Sequence, residues 1–424
     1  MGKTKRARPS KSKKSKNKNR KTKRKKDKYY KSRFRSMRGR PSKILELKSR
    51  TPEFNMKLKE SLLKSTPKKV SKTPKKDTTL SNLMLTISPT HSYSPPVNQA
   101  LQTLQDLTPN ADIFACEKNG LIRIKNGSKY ECISYLTDSK VLEEIMLKNL
   151  NVTSNKINFK NILPPRQSLG NCWFNCYFMC FFISDKGRKF FRYFRTIMIT
   201  GKFSNGKTIP KGIKEPFLLL NYFIEASLVG TRDPKRFASV MDTNVLIHNI
   251  GIELRRDNWN NDFPRMKEAG NPITAYRNII NYLGQDDMSM NLVATTRWLI
   301  AQNKLSPNIK DSQKIPDLIY IKQGDNQKEF PHLNKEITLT IKEKTVKYKL
   351  DSACVRDENK SHYTAYITGN GRQYAFDGES FSTLIPFEWK SKINSDIPWK
   401  FKDISKSRQF NFRSCAAIFL YYRI

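Results

Sequence analysis

The chain has 424 residues, 80 Lys and Arg against 37 Asp and Glu, and a formal charge of +43. That length allows one large domain with extensions. No apolar run reaches the ~18 residues of a membrane span, so no membrane partner is expected, and the charged start lacks the apolar region of a secretory signal. Seven cysteines, an odd number without an evenly spaced framework, point to a reducing intracellular compartment, nucleus or cytoplasm.

The charge is uneven. Residues 1–76 carry 32 Lys and Arg against 4 acids, which leaves 48 against 33 for the rest. The first 40 residues contain almost no aliphatic side chains, cannot bury enough surface to offset chain entropy, and are predicted to be disordered. Within them, Lys21 to Arg40 is a basic run interleaved with Tyr29, Tyr30 and Phe34. Such a run suits DNA or RNA, with cations along the phosphates and rings stacked on bases. It also has the form of a nuclear signal. A short repeat follows, Ser65-Thr66-Pro67-Lys68-Lys69 and Lys72-Thr73-Pro74-Lys75-Lys76. It resembles linker-histone tail units and offers proline-directed phosphorylation sites, where added negative charge would weaken phosphate binding.

Residues 77–110, with Ser88-Pro89 and Ser94-Pro95-Pro96, read as a linker holding a helix-like segment at Asn98 to Leu107. Residues 111–160 form a small subdomain in this reading. Leu121 to Ile124 and Tyr130 to Ile133, split by Asn126-Gly127, make a hairpin, and Asp138 caps a helix through Leu150. Residues 161–424 form the main domain. Helices are expected at Cys172–Ile183, Lys189–Ile199, Phe217–Leu228, Pro234–Met241 and Thr274–Leu283, and strands from Ile315 onward. Helices first and strands later make the class α+β.

The chemistry is concentrated in two of these elements. Gln167-Ser168-Leu169-Gly170-Asn171-Cys172 puts a thiol behind turn and cap formers, at the start of a helix apolar on most sides. A helix N-terminus favours the thiolate. Gln167, five residues upstream, is placed to aim its amide at a developing oxyanion. Cys172, Cys176 and Cys180 share one helical stripe, which is read as packing and not as a metal site. Of four histidines, only His362 opens an alternating strand, His362 to Ile367. After the turn Thr368 to Arg372, the return strand Gln373 to Phe376 ends at Asp377. A hairpin of that shape carries Asp377 back beside His362, where a carboxylate orients an imidazole. Taken singly, a cysteine before an apolar helix is a core thiol and Asp-Gly is a turn. Their order and linkage make a Cys-His-Asp hydrolase site.

These segments resemble the ubiquitin-specific proteases, a papain-like cysteine peptidase family. Leu169-Gly170-Asn171-Cys172-Trp173-Phe174-Asn175-Cys176 matches the family's Cys box at Cys172 and Asn175, and Gln167 falls by offset on its oxyanion Asn. Ser361-His362-Tyr363-Thr364-Ala365-Tyr366 and Tyr374-Ala375-Phe376-Asp377 match its His box. Weaker echoes are Asp233 to Phe237, where Arg236 replaces an acid, Ile315 to Ile321 and Cys415 to Tyr422. One residue is missing before the Cys, and no C-x-x-C pair exists for zinc-bearing fingers.

The resemblance implies a helical lobe carrying Cys172, an antiparallel sheet lobe carrying His362 and Asp377, and a cleft between them lined by Trp173 and Tyr363. It implies hydrolysis of ubiquitin or ubiquitin-like conjugates by Cys172, His362 and Asp377, with Gln167 at the oxyanion and no cofactor or metal. A divergent, viral-type member fits the trimmed motifs. Two alternatives stay open: a nucleic-acid-packaging virion core protein with an idle protease fold, and a protease that matures viral precursors.

Overall fold

The computed structural model describes residues 85–87, 121–134, 137–155, 157–167, 170–229, 243–256, 263–265, 268–284, 292–302, 304–310, 314–325, 331–380, 383–401 and 408–424. The chain divides into two units, 1–76 and 77–424, and every described residue belongs to the second. The basic tail with its Thr-Pro repeats, the segment Asn98–Leu107, the helix expected at Pro234–Met241 and the echo at Asp233–Phe237 lie outside the described residues.

In chain order the elements are β1 (Leu85–Ile87), β2 (Leu121–Asn126), β3 (Lys129–Ser134) and α1 (Ser139–Asn155). Next come α2 (Cys172–Phe178), α3 (Asp185–Phe190), α4 (Arg192–Thr200), α5 (Lys211–Val229), α6 (Asn244–Arg256) and α7 (Pro272–Tyr282). Then follow β4 (Leu292–Thr296), β5 (Leu318–Gln323), β6 (Glu336–Ile341), β7 (Lys344–Arg356), β8 (Tyr363–Gly369), β9 (Arg372–Phe376), β10 (Ile385–Pro386), β11 (Trp399–Phe401) and β12 (Ala417–Arg423). The class is α+β.

The main sheet runs β10-β9-β8-β7-β12-β5-β4, with β6 paired to β7. Its pairs are antiparallel except β4 with β5, which is parallel. The wholly antiparallel sheet expected from the sequence is thus corrected at one edge, where β4 precedes the expected start of the strands. Away from the β6–β7 hairpin, one face of which is exposed, both faces are buried, and successive residues divide between them. Leu318, Tyr320, Cys354, Ala365, Ile367, Phe376 and Leu420 join a core shared with the helices. Ile319, Ile321, Ala353, Val355, Tyr366, Ala375 and Phe419 join a second core with Trp389, Trp399 and Phe412. Ile122, Ile124, Ile133, Leu142 and Met146 of the β2–β3 hairpin and α1 belong to the first core, together with Phe174 and Phe223.

Four local features differ from expectation. The Cys-bearing helix runs as expected to Ile183, but its last stretch, Met179–Ile183, widens into a π-turn closed by Ser184 N donating to Met179 O at 3.0 Å. The next helix breaks at Phe191, whose ring stacks on Phe181 at 4.2 Å. Helix α5 begins at Lys211, upstream of Pro216. Ile213 and Pro216 are both buried there, and that burial outweighs the one backbone bond a proline forfeits. Within the expected linker, Leu85–Ile87 pairs in parallel with Trp399–Phe401.

Candidate active site

Helix α2 begins at Cys172, and Asn171 stands at its N-cap position without a side-chain cap bond. The expected capping role is corrected. The Asn171 amide instead donates to Arg166 O at 3.1 Å and Thr243 Oγ1 at 2.9 Å. Asn175 does parallel work, donating to Arg166 O at 3.0 Å while its carbonyl accepts from Thr243 Oγ1 at 2.5 Å. Two amides on one helix thus tie the preceding strand of chain to Thr243. Gly170 makes the entry turn at φ +81°, a conformation that suits glycine.

The helix is apolar all round and accordingly buried. Trp173 is 1% exposed, set edge-on to Phe174 and Phe263, with Gly270 against its indole. It is a core side chain and does not line a cleft, against expectation. Cys172 is also buried, at 6% exposure, where partial exposure would suit a nucleophile. It is still the most open of the five free thiols among the described residues, the others standing at 0–1%. Burial pushes Cys176 and Cys415 up to about 11. Cys180 Sγ lies 3.5 Å from Cys354 Sγ in the interior. Cys132 is disulfide-bonded.

On the sheet side, β8 and β9 are joined by a two-residue turn in which Asn370 and Gly371 have φ of +48° and +75°. Positive φ at both positions matches the right-handed twist of the strands. The register, Ala365 opposite Phe376, brings the residues flanking the hairpin together. His362 Nε2 lies 2.7 Å from Asp377 Oδ1, and both side chains are fully buried. Asp377 also accepts from Ser380 Oγ at 2.7 Å and Glu379 N at 3.1 Å. Burial alone works against charge on either partner. The Asp377 carboxylate and then the Cys172 side chain overcome it at His362, which is held well above the usual imidazole range. The imidazole and these donors hold Asp377 below the usual carboxylate range.

The Cys172 side chain acts on the same ring and favours its charged form. The opposite ring nitrogen, Nδ1, lies 3.3 Å from Gln167 Nε2. The Gln167 amide is therefore engaged with the imidazole, while its backbone N donates to Gly378 O at 2.9 Å. Gln167 and Cys172 come from one part of the chain and His362 and Asp377 from another, and the structure brings the two parts together. Tyr363 is half-buried and packs on the first core.

Two further carboxylates touch this histidine. Asp357, fully buried, accepts from His362 N at 2.8 Å, Ser361 N at 2.7 Å and Ser361 Oγ at 3.1 Å, fixing the bend that presents the ring. Glu379 Oε2 stands 3.8 Å from His362 Nδ1 and pairs with Arg408. Asp357 lies five residues before His362, in the polar stretch Asp-Glu-Asn-Lys-Ser, where a turn-forming Asp is a readable signal. Nothing in the sequence around Glu379 marks it.

Among the described residues no group of three or more His, Cys, Asp and Glu side chains is arranged to hold a metal ion, and no helix is long and apolar enough to cross a membrane.

No protein-family model matches the chain, and no curated protein matches it. Among solved structures it is similar to the SAGA DUB module Ubp8/Sgf11/Sus1/Sgf73 bound to monoubiquitin, at a TM-score of 0.39 and 9% identity, over 72% of this chain and 79% of that one. A yeast SAGA DUB module with a mutant Sgf73 gives a TM-score of 0.37 and 9% identity, over 72% and 79%. The Ubp8-Sgf11-Sgf73-Sus1 SAGA DUB module gives 0.37 and 11%, over 72% and 78%. The likeness is remote and concerns the fold alone.

Proposed function

We propose that this protein is a cysteine peptidase or isopeptidase of ubiquitin-specific-protease type, acting on ubiquitin or ubiquitin-like conjugates, with residues 161–424 as the catalytic domain. The observation that carries the reading is the fully buried pair of His362 and Asp377, Nε2 to Oδ1 at 2.7 Å, with the Cys172 side chain near enough to favour the charged ring. In the proposed reaction the Cys172 proton already rests on Nδ1, in line with the raised His362 pKa, and the thiolate attacks the scissile carbonyl. The proton then passes to the leaving amine, and water releases the acyl group from the resulting thioester. Asp377 keeps Nε2 oriented and stabilises the imidazolium. Gln167 and the Cys172 backbone N–H serve the oxyanion once the amide leaves the imidazole. The basic tail, residues 1–76, tethers the enzyme to DNA or RNA, inside the cell or within a virion.

A second reading, a virion core protein with an idle protease fold, draws support from two observations. Cys172 is 6% exposed and the Gln167 amide already sits on the general base. A third is a maturation protease with another substrate.

The experiment is labelling of the full chain with ubiquitin bearing a C-terminal electrophile, alongside a small thiol alkylator. The proposed function predicts a ubiquitin adduct on Cys172 that is lost in Cys172→Ala. Alkylation without a ubiquitin adduct would point to the maturation protease. Labelling by neither reagent would favour the idle fold.

A further inference from the structure

The β6–β7 hairpin carries a surface of a different kind. Its register sets Glu336 opposite Lys349, Thr338 opposite Lys347 and Thr340 opposite Thr345. All six side chains are exposed, while the alternate residues Ile337, Leu339, Ile341, Val346, Tyr348 and Leu350 are buried in the second core. One face of the hairpin is therefore a polar sheet of Lys and Thr. Exposed Lys335 precedes β6, and half-buried Lys186 and Lys390 are near enough to these groups to act on their charge. Their proximity shows in their mutual effects. Burial lowers the Lys390 pKa, and the charges of Lys349 and Lys335 push the same way against Asp351. Lys349, and behind it Lys347 and Lys186, favour the ionised form of Glu336.

The neighbouring acids do not cancel this charge: Glu343, exposed in the hairpin turn, is flanked by exposed Lys342 and Lys344. Asp185 is taken by Arg188 at 3.3 Å and by Gly371 N at 3.1 Å. Asp351 is buried and accepts from Lys186 N at 3.2 Å and Gly187 N at 3.4 Å. Glu336, the other exposed carboxylate of those named, holds Lys349 at 2.8 Å.

We propose that this face binds the phosphate backbone of a nucleic-acid strand, without reading its sequence. Lys347 and Lys349 are two residues apart on one strand, about 7 Å. At that spacing each meets its own phosphate along a single backbone, releasing counterions as it does so. Thr338, Thr340 and Thr345 supply neutral donors between them. The face displays no aromatic ring to stack on bases and no apolar side chain to enter a lipid interface. It lies far from the candidate active site. Lys347 is nine residues along β7 from Arg356, which pairs with Tyr363 beside His362, a span of roughly 30 Å. A strand bound here leaves that site open. The surface belongs to the folded unit and adds to whatever the tail binds.

The test uses the full chain and a 20-nucleotide oligothymidylate. Lysine acetylation is mapped by mass spectrometry with and without the oligonucleotide. Lys335, Lys347 and Lys349 are expected to be protected about threefold or more, and exposed Lys207, on the helical side, to be unchanged. In a variant combining Lys335→Ala, Lys347→Ala and Lys349→Ala, the log-log slope of affinity against salt is expected to be shallower by about 2, at ~0.7 per lost phosphate contact. Unprotected lysines, or an unchanged slope in the variant, overturn the proposal. So does protection by vesicles of an anionic phospholipid but not by the oligonucleotide, which would make the face a lipid-binding one.

Discussion

The two sides of the candidate site are built from opposite materials. The helical side, Cys172 to Ile183, is an apolar rod whose own backbone satisfies most of its amides, leaving Asn171 and Asn175 to bond outward. The sheet side packs His362, Asp377, Asp357 and Ser380 into the interior and meets them with hydroxyls and the free N–H groups of Ser361, His362 and Glu379. Bends and turns have amides to spare, and a helix interior does not. Charge is therefore held where the chain turns, and the helix supplies a rigid mount for one thiol. This difference separates two kinds of mutation, those that disturb charge and those that disturb packing.

The largest effect is expected from Asp377→Asn. With the proposed chemistry, kcat should fall about 10⁴-fold, because the amide favours the wrong imidazole tautomer. The same variant tests whether the pair is charged in the folded protein. Asp377 is held below its usual range, so its stabilising contribution is present above the ordinary carboxylate pKa of ~3.9 and is lost as pH falls through the lowered folded value. His362 is held above its usual range, so its contribution is complete below ~6.5 and is lost as pH rises through the raised folded value. The difference in thermal midpoint between wild type and Asp377→Asn should peak between about pH 4 and 6.5. A difference that is flat across pH would mean a neutral pair.

Next comes Gln167→Ala. If its amide reaches the oxyanion during turnover, kcat should drop about 10²- to 10³-fold, with the rate of Cys172 alkylation little changed. If the amide serves only to occupy His362 Nδ1, as in the resting geometry at 3.3 Å, its removal should quicken alkylation and leave kcat near wild type. Single-turnover kinetics beside an alkylation time course would tell these apart.

The contrast between the two sides also explains what could be read beforehand. The hairpin was legible because each of its signals is local. Alternation marks β8, Asn370-Gly371 demands positive φ, and a two-residue turn fixes which residues face each other. The start of the Cys helix was legible from Gly170 and the apolar run after it. What the sequence hid is contact between distant segments. Gln167 meets His362 across 195 positions. Trp173, next to the thiol, turned inward because Phe263 and Gly270 close around it. The parallel edge strand β4 depends on its pairing with β5 and carries no alternating stripe of its own.

The helical side also buries charge, at Arg188, Arg195 and Glu225, and the pH response of Glu225 has the opposite sense to that of Asp377. Burial pushes Glu225 up to about 7, against the pull of Arg195 and a hydrogen bond from Asn149 Nδ2 at 2.5 Å. A carboxyl with a raised folded pKa contributes stability that is complete below its unfolded value and is lost as pH rises through the folded one. Wild type should therefore lose on the order of 3 kcal/mol between about pH 4.5 and 7. Glu225→Gln should show a flatter profile in denaturant melts, whatever its absolute stability after Arg195 loses its counter-charge. An equal slope in both proteins would place the ionisation elsewhere.

The smallest effect is expected from Gly270→Ala, which touches packing alone. A methyl group there would sit 2.4 Å from Trp173 Cδ2 and 2.8 Å from Pro264 Cγ. No side chain tolerates such an approach, so the indole or the loop must shift. Trp173 is boxed in by Phe174 and Phe263 at ring-centroid distances of 5.5 and 6.0 Å, so much of the displacement should fall on the loop. Overpacking of this kind costs about 1–3 kcal/mol. Because Trp173 adjoins Cys172, part of any shift in the helix would move the thiol relative to His362. The variant should lower the thermal midpoint by a few degrees and change the rate of Cys172 alkylation, while leaving the pH dependence set by His362 and Asp377 where it was. If that pH dependence moves as well, the two sides are mechanically coupled through the first turn of α2, and the separation between packing and charge fails at its point of contact.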